Sequence, residues 1–153
     1  MASCEVCSCS KGVEKEKIIN FDCLAPEIQK LLKQASDVRQ KAYCPYSKFK
    51  VGASVLCENG KTYTGCNVEN VSFTVGICAE RNAYSTAISE GNKKFKAVAV
   101  VARQEDDFTT PCGACRQFLR EFGDVDVYCA NPDMEKVFVT NVQGLLPYAF
   151  TSL

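Results

Sequence analysis

The sequence predicts an α/β protein in three layers, with a mixed five-stranded sheet between helices. Three features carry that prediction. The segment Phe95 to Ala102 reads Phe-Lys-Ala-Val-Ala-Val-Val-Ala, the nearly continuous apolar run of a strand buried on both faces. A helical stretch separates it from the next β-prone run, Val125 to Cys129, and a helical crossover makes two such strands parallel. Only Ala130-Asn131-Pro132-Asp133-Met134 then precede the run Lys136 to Thr140. Parallel strands need a connection of about a dozen residues or more, so this last strand turns back antiparallel.

The other elements follow in chain order. Between Asp22 and Tyr43, Leu24, Ile28, Leu31, Leu32, Ala35, Val38 and Ala42 recur at three- and four-residue steps, the stripe of an amphipathic helix. Cys44-Pro45-Tyr46-Ser47 ends it, because proline disfavours helical geometry in the residue before it. Val51 to Cys57 and Tyr63 to Cys66 are β-prone, and Glu58-Asn59-Gly60-Lys61 between them favours a tight hairpin. After a loop over 67–77, the alanine-rich segment Cys78 to Glu90 predicts a helix with Gly91 at its C-terminal cap. Thr110-Pro111-Cys112 opens another helix through Phe118, Leu119 and Phe122 to Gly123, and a helical turn is expected near Val142 to Leu146. Residues 1–20 read as a flexible polar leader and 21–153 as one domain, without internal repeats.

Composition narrows the chemistry. The 153 residues contain 18 Lys plus Arg, 18 Asp plus Glu, eleven cysteines and no histidine. Without imidazole there is no serine-histidine-aspartate triad, no cysteine-histidine protease pair and no histidine-ligated zinc hydrolase. Zero net charge argues against a nucleic-acid polymer as partner, and the Lys93-Lys94-Phe95-Lys96 patch reads as solvated surface. The start of the chain lacks the basic and apolar regions of a secretory signal, and no run of about 18 apolar residues suggests a membrane span. A reducing, cytoplasmic location is therefore expected, where cysteines more often bind metal or catalyse than pair. Cys4, Cys7 and Cys9 fall in the leader, and Cys23, Cys44, Cys57, Cys66 and Cys129 read as packed thiols.

The remaining cysteines sit in two motifs at loop-to-helix junctions, Cys78-Ala79-Glu80-Arg81 and Pro111-Cys112-Gly113-Ala114-Cys115-Arg116. Cys112 and Cys115, three apart on a first helical turn, share a face, and Cys78 holds the corresponding place on the other helix. Three thiolates suit Zn²⁺ and leave its fourth position to water, as in catalytic zinc sites. Glu80, two residues beyond its cysteine, can reach that water without ligating metal and so is the candidate proton shuttle. Three thiolates leave the centre negatively charged, and Arg81 and Arg116 can offset this by hydrogen bonds to sulfur. Two readings stay open. Cys66 or a leader cysteine could close the site as a fourth thiolate and make a non-catalytic zinc module, or the substrate could be cytosine in a polymer or another aminopyrimidine.

At these motifs the chain resembles the zinc-dependent cytidine deaminases, specifically the small free-nucleoside type. The resemblance runs from about Leu24 to Phe150 and includes Tyr43-Cys44-Pro45-Tyr46-Ser47, Phe49-Lys50-Val51-Gly52-Ala53 and Gly65-Cys66-Asn67-Val68-Glu69-Asn70. It implies one Zn²⁺ per subunit and hydrolysis of cytidine and 2′-deoxycytidine to the uridines with release of ammonia, in pyrimidine salvage. By the same resemblance Asn67 and Glu69 hold the ribose hydroxyls, with Val68 between them, and Phe49 packs on the pyrimidine beside Tyr46. The Ala79 backbone and Glu80 carboxylate read the base. Such proteins are homotetramers with shared sites, and Phe150 matches an aromatic contributed to a neighbour. The chain departs from the pattern at Val71-Ser72-Phe73-Thr74-Val75.

Overall fold

The computed structural model describes residues 16–153. Six strands, β1 (Lys17–Asn20), β2 (Val51–Cys57), β3 (Thr62–Cys66), β4 (Phe95–Ala102), β5 (Asp126–Ala130) and β6 (Lys136–Asn141), form one sheet in the order β1-β6-β5-β4-β2-β3. The four helices are α1 (Pro26–Arg39), α2 (Ala79–Ser89), α3 (Gly113–Arg120) and the short α4 (Val142–Leu145). The pair β4/β5 is parallel and every other pair antiparallel; the helical crossover before β5 and the short turns after β2 and β5 account for the consecutive pairs.

The expectation of five strands is corrected to six. Lys17-Ile18-Ile19-Asn20 pairs antiparallel with β6 from Lys17↔Val139 to Asn20↔Lys136, so the sheet begins inside the segment assigned to the leader. It escapes sequence reading because an edge strand of four residues buries little: Ile18 is exposed and Ile19 half-buried, which leaves no alternation to detect. The rest of the leader, with Cys4, Cys7 and Cys9, lies outside the described residues.

Two apolar clusters lie on opposite faces of the sheet. Along β4, Ala97, Ala99 and Val101 join Leu31, Leu32 and Ala35 of α1, while Val98 and Val100 join Ala79, Ala83 and Tyr84 of α2 and Leu119 of α3. Strand alternation sends successive residues to opposite faces, which is why a strand between two helical layers reads as one unbroken apolar run. On β2, the fully buried Ser54 is satisfied by donating Oγ to Leu31 O at 2.6 Å.

The helices approach closely because glycine stands at the crossings. A Cβ on Gly52 would lie 2.0 Å from Ala35 O of α1, and one on Gly65 would lie 2.4 Å from Ala83 N and 2.6 Å from Ala79 O of α2. The Tyr84 ring lies 4.2 Å between centroids from Phe95, tilted by 41°, and also meets Phe118 and Phe122, which ties α2 to β4 and α3. This packing brings the starts of α2 and α3 together.

Candidate active site

Both helices begin on a cysteine. Cys78 and Cys112 are the N-cap residues of α2 and α3, in extended backbone, and neither side chain caps its helix. Ser, Thr, Asp or Asn usually occupy this position to bond the free N–H groups. Here the sulfurs turn instead toward each other and toward Cys115, on the first turn of α3, and all three lie within 4.8 Å of one another. The three thiols grade from exposed at Cys112 to buried at Cys115.

The donor set fits Zn²⁺. Sulfurs held tetrahedrally at about 2.3 Å from zinc are about 3.8 Å apart, and Cys78 Sγ lies 3.8 Å from Cys112 Sγ. The environment favours negative charge on Cys78. A hydrogen bond from Cys115, and then one from Arg81, bring Cys78 down to about 5, while its bond to Cys78 and burial push Cys115 upward. Cys66 is not in the cluster; its carbonyl accepts from Asn82 Nδ2 at 2.7 Å. Among the described residues the metal site therefore has three thiols and no fourth.

Glu80, on the first turn of α2, is 4% exposed. Burial raises its carboxyl to about 7 and charge on Cys78 adds to this, against a hydrogen bond from its own backbone N–H and the charge of Arg81. A carboxyl raised toward the operating pH is suited both to take and to give a proton. Arg81 Nη2 donates to Cys78 Sγ at 3.6 Å, the expected charge compensation. Arg116 is corrected: its Nε donates to Pro111 O at 2.6 Å, Nη1 to Leu145 O at 2.9 Å and Nη2 to Thr110 Oγ1 at 2.9 Å. These bonds fasten the approach to α3 and the end of α4, not sulfur.

A cleft of about 630 Å³ opens beside Cys78 and Arg81, and its lining includes Tyr46, Asn67, Val68 and Glu69. Residues 67–69 are extended, with Val68 bridged to Tyr43 on one side and Ile77 on the other. Asn67 Oδ1 accepts from Val51 N and its Nδ2 donates to Phe49 O, both at 2.8 Å. Glu69 accepts from the backbone of Tyr46 and Ser47 and from the Ser47 hydroxyl, which hold its carboxyl below the usual range. Sequence reasoning missed Ser47 and Phe73, which also line the cleft, with Phe73 edge-on to Tyr46 at 5.8 Å. Ser47 stood inside a quoted motif, and its spacing from Phe49 was the available signal.

Phe49, Ala79, Glu80 and Phe150 are not in that lining. Ala79 and Glu80 sit in the chain between the lining residues Cys78 and Arg81. Phe49 contributes its backbone to the loop at the rim. Phe150 lies against α3, where its N and O bond the side chain of Gln117, and the residue is 66% exposed.

A thiol triad fitted to zinc, next to a buried proton-carrying carboxyl at the edge of a cleft, defines a metal-dependent hydrolase. Comparison with known proteins sharpens this. The family model described as "Cytidine and deoxycytidylate deaminase zinc-binding region" matches residues 26–131. The chain is 49% identical over 125 residues to a probable cytidine deaminase of Dictyostelium discoideum, covering 82% of this chain and 84% of that one. It is 46% identical over 129 residues to a cytidine deaminase of Sporosarcina psychrophila, covering 82% and 92%. The crystal structure of cytidine deaminase from Burkholderia pseudomallei superposes with a TM-score of 0.75 at 43% identity, covering 79% of this chain and 97% of that one. The chain belongs to the zinc-dependent cytidine and deoxycytidylate deaminase family.

Proposed function

We propose that this chain catalyses hydrolytic deamination of cytidine and 2′-deoxycytidine to uridine and 2′-deoxyuridine with release of ammonia, a reaction of pyrimidine salvage. The observation that carries the reading is Glu80: a carboxyl buried against three zinc-fitted thiols and raised to about 7. Relatives named cytidine deaminase at 49% and 46% identity support the substrate. One Zn²⁺ per subunit, when bound, supplies a Lewis acid that brings the pKa of a bound water from about 15.7 to about 7.

The chain's own residues do the rest. Cys78, Cys112 and Cys115 hold the metal, and Arg81 offsets their charge. Glu80 takes a proton from the water that adds at C4 and delivers it to N3 of the cytosine. It then takes the remaining proton from the hydroxyl added at C4 and carries it to the amino group, which leaves as ammonia while the C4 carbonyl forms, so one carboxyl serves as base and as acid. The N–H of Ala79, among the first four of α2 and so without an intrahelical partner, reads the polar edge of the base. Asn67 and Glu69 hold sugar hydroxyls beside Val68, and Phe49 and Tyr46 flank the pyrimidine. Arg116 positions the start of α3.

We read the working assembly as a cytoplasmic homotetramer. Phe73 is 76% exposed at the cleft, with Val71 and Val75 exposed beside it, and Phe150 is exposed on α3. Apolar side chains grouped at a cleft rim favour cover by another copy. Cys44, Cys57, Cys66, Cys78, Cys112, Cys115 and Cys129 are unpaired thiols, in keeping with a reducing compartment. Mass measurement in solution tests the tetramer, which a fully active monomer contradicts. A panel of free nucleosides, nucleotides and single-stranded DNA, read by ammonia release, tests the substrate: turnover of the free nucleosides is expected, and turnover confined to DNA contradicts the reading.

A further inference from the structure

The loop 46–49 between the end of α1 and β2 is held by the two side chains assigned above to the sugar. Glu69 Oε2 accepts from Tyr46 N at 3.0 Å and Ser47 N at 3.2 Å, and Oε1 accepts from the Ser47 hydroxyl. The same hydroxyl accepts from Phe49 N at 3.0 Å. At the far end of the loop, Asn67 bonds Phe49 O and Val51 N. Between these anchors Lys48 has φ 59°, a conformation that side chains other than glycine seldom adopt unless their surroundings hold them there.

An ionised carboxylate offers about four acceptor sites. The loop occupies three on Glu69, which leaves about one for a ligand in the cleft. Without the Ser47 hydroxyl, Oε2 keeps its two backbone donors while Oε1 swings about that anchor. We propose that Ser47 is a positioning residue for nucleoside recognition: its hydroxyl sets the rotation of the Glu69 carboxylate that leaves one acceptor toward a ribose hydroxyl, and links that setting to the backbone of Phe49. This rests on the reading that Glu69 binds the sugar. The Ser47 bond is also the largest influence holding Glu69 below the usual carboxylate range.

The test compares kcat/KM of the zinc-loaded full chain for cytidine and for 2′,3′-dideoxycytidine, which has neither sugar-ring hydroxyl, in wild type, Ser47→Ala, Ser47→Thr and Glu69→Gln. Ser47 is exposed, so its substitution opens no cavity in the core. Loss of one charge-assisted hydrogen bond predicts that Ser47→Ala lowers the cytidine value about tenfold, through KM and with kcat within about twofold. The dideoxycytidine value should move less than about twofold, and Ser47→Thr, which keeps the hydroxyl, should restore discrimination. An equal loss on both substrates, or no loss on cytidine, overturns the proposal. Glu69→Gln separates the two levels. If it abolishes discrimination between the substrates while Ser47→Ala retains it, only the role of Ser47 fails; if Glu69→Gln also leaves discrimination intact, the sugar-binding reading fails with it.

Discussion

Arg81 Nη2 lies 3.6 Å from Cys78 Sγ, one helical turn further along α2, so the first metal-site sulfur and its compensating charge belong to the same rigid element. Three thiolates are a heavy negative load for one divalent cation, and a guanidinium donating to sulfur draws off part of it. Arg81→Gln should keep zinc near one per chain by atomic absorption while lowering kcat by about 10- to 100-fold, the usual cost of removing an outer partner of a metal ligand. Loss of zinc with undiminished kcat per zinc would show that the arginine serves binding and not reactivity.

Glu80 links the site to stability in the metal-free protein. Its carboxyl is raised to about 7 when folded, against an ordinary value near 4.5 in the unfolded chain. Between these values the folded state binds more protons, so its contribution to stability is present below 4.5 and is lost as pH rises toward 7. The loss amounts to about 3 kcal/mol at 1.36 kcal/mol per unit. Urea unfolding of metal-free wild type and Glu80→Gln should therefore give curves that separate, in favour of the variant, as pH rises from 4.5 to 7. Curves that stay parallel would mean that Glu80 titrates near its ordinary value.

The glycine crossing at Gly65 should be intolerant for a different reason. An added Cβ would meet Ala83 N and Ala79 O of α2, and backbone atoms cannot rotate away as a side-chain tip can. Gly65→Ala is expected to cost at least about 3 kcal/mol, a fall in melting temperature of about 6–12 °C by calorimetry. Gly113→Ala, whose Cβ meets nothing within 4 Å, should stay within about 0.5 kcal/mol of wild type.

Strand β1 predicts where the chain can be shortened. Removing residues 1–16 leaves all of β1 in place, whereas removing 1–20 strips the ladder from Lys17↔Val139 to Asn20↔Lys136 and bares the edge of β6. The chain that lacks β1 should melt lower than the one that keeps it and should associate on light scattering. Equal melting of the two would mean that β1 contributes nothing.

These residues also mark what the sequence can disclose. The metal triad was legible because thiol spacing on a helix start is a local property: three residues on one turn share a face, and no distant contact changes that. The relative directions of β4, β5 and β6 were legible because a helical crossover and a short connection restrict them. β1 was not, since Ile18 and Ile19 show no burial pattern and depend on the distant edge of β6. Arg116 was not either. Its neighbourhood to Cys115 in sequence suggested sulfur, but its partners, Thr110 and Leu145, come from a loop and a helix end that only the fold brings near. Asn67 and Glu69 were found as a pair on one side of an extended segment, while their bonds to loop 46–49 required the bridges of Val68 to Tyr43 and Ile77.

The most direct test of the central claim is ammonia release from cytidine by the zinc-loaded full chain beside its Glu80→Gln variant, with zinc content measured on both. The chain should turn over cytidine, and the variant should retain its zinc and lose at least about 10²- to 10⁴-fold in kcat, the contribution of a positioned proton carrier. A zinc-replete Glu80→Gln protein that deaminates cytidine at the wild-type rate would contradict the account.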